Sequence, residues 1–134
     1  MTKTILLTIF AVIAGYALMV GLITLVQEVW FGGVGWGTTP FGKLAVAGLF
    51  TMLAAFVGAA VATAIRHGQS FVPAIIMSCL VALETTALVV TEKVSGPLWF
   101  DALSAVLLIL AIMAGGWSMQ TLIRSLAHRA PSTT

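Results

Sequence analysis

The sequence predicts an all-α fold, a bundle of four transmembrane helices, and three observations predict it. Hydrophobic residues make up 60% of the 134 and charged residues only 7%, whereas a soluble domain is about one quarter charged, so a water-facing surface cannot be assembled from this chain. The apolar residues gather into blocks at or beyond the roughly 18 residues that mark a spanning helix. Most of the charge falls between the blocks. The blocks cover residues 5–30, 44–65, 71–90 and 98–123, and they consume so much of the chain that residues 1–134 form a single integral membrane domain.

The first block follows Lys3 in the manner of a signal peptide. Its apolar run exceeds the 7–15 residues of a signal h-region and no Ala-x-Ala-like cleavage pattern follows, so it is expected to be retained. Tyr16, Thr24, Gln27 and Glu28 share one arc of this helix toward its far end. The segment from Phe31 to Pro40 is rich in glycine and lacks the Lys-Ser/Thr ending of a phosphate-binding loop. It is expected to be a flexible connection skimming the membrane surface.

The second helix places Ala47, Gly48, Thr51, Ala54, Ala55, Gly58 and Ala62 within one third of its circumference. Helices in lipid associate through close backbone approach rather than the hydrophobic effect, so this small-residue stripe is the expected packing face. On the fourth helix Ser104, Ala111, Gly115 and Ser118 form a matching stripe, with Asp101 near its end. Pro40, Ala47, Ala54 and Gly58 recur 57 residues later as Pro97, Ser104, Ala111 and Gly115, and Glu28 aligns with Glu84 one residue out of step. This spacing suggests two parallel helical hairpins.

The third helix holds the sharpest feature. Glu84 lies 13 residues beyond Phe71, roughly 20 Å along the axis and therefore within the hydrocarbon. An ionisable group there must face the bundle and be neutral or paired, and is by default a candidate functional residue. Ser78, Thr85, Thr91 and Glu92 share its arc. Glu84, Ser78 and Thr85 on this helix, with Tyr16, Gln27 and Glu28 on the first, make the expected polar intramembrane site.

Lys3, Arg66, Arg124 and Arg129 fall at one end of the spans and only Lys43 and Lys93 at the other, which predicts both termini in the cytoplasm. Trp30, Trp36 and Trp99 then fall at the outer ends as interfacial anchors. Six scattered basic residues argue against nucleic acid as a partner. The lone Cys79 excludes an intramolecular disulfide. No Cys-x-x-Cys or His-Glu-x-x-His pairing is present, and neither His67 nor His128 lies within a span to ligate haem or activate a serine. No catalytic residue, metal or cofactor is expected.

A first helix ending in Glu28, a variable loop, Leu53-Ala54-Ala55-Phe56-Val57-Gly58-Ala59-Ala60 followed by Arg66, Pro97-Leu98-Trp99, and Ala114-Gly115-Gly116 together resemble an uncharacterised family of small four-span bacterial inner-membrane proteins. The resemblance covers the whole chain through loose motifs. It implies a bacterial inner-membrane location and no mechanism. Small multidrug transporters are similar in size only, since their embedded glutamate lies in the first helix. The functional expectation is a small non-enzymatic accessory subunit packing against other membrane proteins or its own copies; the alternative is a homo-oligomeric transporter or channel for protons or small cations using Glu84.

Overall fold

The computed structural model describes residues 1–93 and 96–129. Among these residues the chain forms four helices: α1 (Thr2–Thr24), which continues as a π-helical segment (Leu25–Trp30), α2 (Phe41–Ile65), α3 (Val72–Val90) and α4 (Leu98–Arg129). Each is long and apolar enough to cross a bilayer, and the chain is a multi-pass membrane protein.

Local chemistry sets the boundaries. Pro40 takes an extended conformation (φ −55°, ψ 141°) and its carbonyl accepts from the Leu44 N–H at 3.0 Å, so α2 begins three residues before its apolar stripe does. Pro97 does the same for α4, accepting from the Phe100 N–H at 2.9 Å. The turn after α2 carries two positive φ values, His67 (52°) and Gly68 (66°), and the Gly68 N–H closes on the Thr63 carbonyl at 3.0 Å. A Cβ on Gly68 would also stand 3.0 Å from Ile123 Cβ, so glycine serves both the turn and the contact.

Two expected boundaries change. The first span was expected as one regular helix over 5–30, yet its last turn is π-helical, and each π residue advances less far around the axis. The fourth was expected to stop near 123, yet α4 runs to Arg129. Its 32 residues extend about 48 Å against a hydrocarbon core of about 30 Å, which carries Arg124, His128 and Arg129 clear of the apolar region. Trp99 and Trp117, both exposed on α4, lie about 27 Å apart along it, the separation expected of the two interfacial belts.

Hydroxyls along the helices bond to their own backbone, as apolar surroundings require. Thr8, Thr51, Ser78, Thr86, Thr91, Ser104 and Thr121 each donate to the carbonyl four residues back. Thr63 is fully buried and its Oγ1 has no partner among the described residues. A buried unpaired hydroxyl costs about 1–3 kcal/mol. Thr63→Val is therefore expected to raise stability by about 1 kcal/mol, and an unfolding midpoint below that of the parent would contradict this.

α2 touches every other helix, whereas α1 and α4 lie across the bundle from one another without contact. The close approaches fall in the half nearer the termini. A Cβ on Gly15 would come within 2.6 Å of the Gly58 carbonyl oxygen, and one on Gly58 within 2.6 Å of that of Gly15. A Cβ on Gly115 would strike the Phe56 backbone, and one on Gly116 would lie 2.7 Å from Ala74 Cβ. Met77 and Ile112, fully buried, fill the space between the helices together with Ala55, Ala59 and Ala62.

The small-residue stripes thus meet partners inside this bundle. Ala47, Ala54, Gly58 and Gly115 are buried, Ala111 is half-buried beside the fully buried Ile112, and Ser118 is exposed. Gly15, which composition does not distinguish from any other glycine, is the α1 side of the close approach to Gly58.

Candidate functional site: a cavity open at the tryptophan end

The half of the bundle away from the termini is packed differently. Few of its helical residues are buried, among them Met19, Val26, Ala47 and Val81, and a cavity of about 850 Å³ lies between the helices there. All four helices line it. Met19, Ile23, Leu44, Met52, Val81, Leu107 and Leu108 make its walls mostly apolar. Its polar groups are few: Thr24, Gln27, Thr51, Glu84, Thr85, Asp101 and Ser104. An apolar pocket of this size with a few convergent polar groups is the usual form of a small-molecule site.

Glu84 and Tyr16, expected on separate polar stripes, are brought together. The Tyr16 hydroxyl donates to Glu84 Oε2, joining α1 to α3 at a seam where these helices have few other contacts. Tyr16 also lines a shallow groove of about 550 Å³ with Val12, Ile13, Ala17, Val20, Gly21 and Leu80. Glu84 was expected to face the bundle interior, yet it is exposed at the cavity's edge, so the Tyr16–Glu84 pair stands between the cavity and the lipid-facing side of the bundle.

Gln27 lies in the π-helical turn, and its Nε2 donates to Thr51 Oγ1 at 3.0 Å, which in turn donates to the Ala47 carbonyl at 2.9 Å. This chain joins α1 to α2 and sets one polar edge of the cavity. Thr85 is half-buried in its wall. The remaining two expected residues lie elsewhere. Ser78 bonds to the Ala74 carbonyl of its own helix, and the exposed Glu28 is absent from the cavity lining.

The structure adds a contributor that the sequence placed only near the end of the α4 stripe. Asp101, in the first turn of α4, lines the cavity, and its Oδ2 is buried without a hydrogen-bond partner among the described residues. Its position on the α4 stripe was visible; what hid it is the loop. Phe31 to Pro40, expected to be a flexible connection, folds into hydrogen-bonded turns. The Thr39 N–H donates to the Gly35 carbonyl at 3.1 Å, the Gly35 N–H to Thr39 Oγ1 at 3.1 Å, and Gly32, Gly33 and Gly37 take positive φ. These turns bring Trp36 back onto the start of α4, with ring centroids 4.5 Å from Phe100 and 5.7 Å from Trp99. Val34, Gly35 and Trp36 thereby close part of the cavity mouth.

Among the described residues no three His, Cys, Asp or Glu side chains converge as a metal site would require. The described cavity lining contains Glu84 and Asp101 and no Lys, Arg or His. Fold and site together define a four-helix membrane bundle, tightly packed at the end of its termini and hollow at the other. No protein-family model, curated protein or solved structure shows a significant match to the chain.

Proposed function

We propose that this chain is a small non-enzymatic carrier that holds a small molecule in the cavity at its tryptophan end, with Glu84 as the principal polar contact. The observation that carries this reading is a hollow, mostly apolar space walled by four helices, with Glu84 in its wall. The interlocked Gly15, Gly58, Gly115 and Gly116 contacts of the opposite half favour a one-ended site over a continuous channel for protons or small cations. The accessory-subunit reading drew on small-residue faces available to a partner. Ala47, Ala54, Gly58 and Gly115 instead face neighbours within the bundle, which removes that support.

Native mass spectrometry of protein taken from membranes tests the carrier reading. Gly48 lines the cavity, and a Cβ there would meet nothing within 4 Å, so Gly48→Trp fills the space without disturbing the helix contacts. The parent is expected to retain an added small mass and Gly48→Trp to lose it. Equal occupancy of the two, or a partner protein in stoichiometric amount with no small mass, would sink the reading.

The proposed setting is a bacterial inner membrane with both termini cytoplasmic, an orientation supported by Lys3, Arg66, Arg124 and Arg129 at one end. Pro40 and Pro97, each immediately before a helix, support descent from two parallel hairpins. In a Cys79→Ser background, a cysteine at Thr38 is expected to react with an impermeant maleimide in intact cells. One at Gln69 should react only after permeabilisation, and the reverse pattern would invert the topology.

A further inference from the structure

The character of the cavity narrows what it can hold. Its polar groups comprise two carboxylates, hydroxyls and one amide, with no basic residue among the described lining. An anionic headgroup would meet two acidic residues and no cation, an unfavourable exchange of water for like charge. A strongly hydrated inorganic cation would have to shed its water into a space walled mainly by Met, Ile and Leu, where among the described residues no three acidic or imidazole side chains converge to replace it. A cation whose charge is spread over an apolar body loses little hydration and gains the walls by burial. The mouth suits the same species, because Trp36, Trp99 and Phe100 stand within 6 Å of one another and the faces of such rings attract organic cations. Asp101, one residue from Phe100, brings to this end a buried carboxylate oxygen with no partner among the described residues.

We propose that the cavity takes an amphipathic organic cation of the ammonium or phosphonium type, held by Glu84 and Asp101 and by the Trp36, Trp99 and Phe100 rings. This rests on the carrier reading above and adds the charge class of its ligand.

Tetraphenylphosphonium and tetraphenylborate, nearly equal in shape and opposite in charge, separate the two ideas. Each is titrated by equilibrium dialysis against protein in nanodiscs, with empty nanodiscs as the blank and Gly21→Ala as a variant away from the cavity lining. The phosphonium is expected to bind saturably to the parent and to Gly21→Ala, at least about tenfold more tightly than the borate. Glu84→Gln and Asp101→Asn should each weaken it about tenfold, and Gly48→Trp should abolish it. Should Glu84→Gln fail to fold, Asp101→Asn carries the test. Equal binding of both ions, blocked by Gly48→Trp, would overturn the cationic assignment while leaving a cavity that binds small molecules. Saturable binding of neither ion would overturn this proposal, and the native mass measurement would then decide the carrier reading by itself.

Discussion

Replacing Gly115 with leucine is expected to destabilise the bundle more than any other single substitution. The added Cβ would fall on the Phe56 backbone, and backbone cannot move aside as a flexible side chain does. Overpacking of a close-packed interior typically costs about 1–3 kcal/mol and sometimes more, and here the displaced group is part of the central helix α2. Gly58→Leu should behave alike, because its Cβ would meet both the Gly15 carbonyl and Met19 Cβ. Gly21 is the internal comparison: a Cβ there meets nothing within 4 Å, so Gly21→Ala should be neutral or raise stability by up to about 1 kcal/mol. Unfolding in mixed micelles of sodium dodecyl sulfate reads all three. A Gly115→Leu midpoint equal to the parent's would mean that α2 and α4 do not approach as described.

Glu84→Leu should separate stability from ligand retention. An interhelical hydrogen bond in a membrane contributes about 0.6–2 kcal/mol, whereas placing an acidic residue at mid-membrane costs about 2.5–3.5 kcal/mol. The second effect is larger. Losing the Tyr16–Glu84 bond while removing the carboxyl should therefore leave stability unchanged or raise it by about 1 kcal/mol, while the bound small molecule is lost. Tyr16→Phe should lower stability by about 1 kcal/mol in the parent and have no effect in the Glu84→Leu background. A Glu84→Leu loss above about 2 kcal/mol would identify the pair as structural glue between α1 and α3.

The spans were legible because composition and length alone determine which segments lipid accepts, and the α2 stripe of Ala47, Ala54 and Gly58 was legible because close packing in lipid demands small residues at helical spacing. Glu84 stood out for the cost of its charge. Its partner was harder to find, since Tyr16 pairs with it across 68 residues and no local pattern records that meeting. The π-helical turn was hidden for a different reason. Leu25 to Trp30 carries no proline or glycine, and the turn is fixed by how Gln27 reaches Thr51 on α2. The cavity position of Asp101 was hidden because its environment depends on Trp36, and a glycine-rich segment read alone gives no sign of where its tryptophan will dock.

The uneven packing of the two halves has a consequence for the membrane itself. Helices drawn together by Gly15, Gly58 and Gly115 and bordering an 850 Å³ space at the other end should give the molecule a tapered outline, broader in one leaflet than in the other. Each copy then acts as a wedge, displacing more lipid from the leaflet at the tryptophan end and favouring bilayers that bend to relieve the difference. Any movement that closed the cavity would narrow the taper, so membrane curvature and occupancy of the site would act on the same shape.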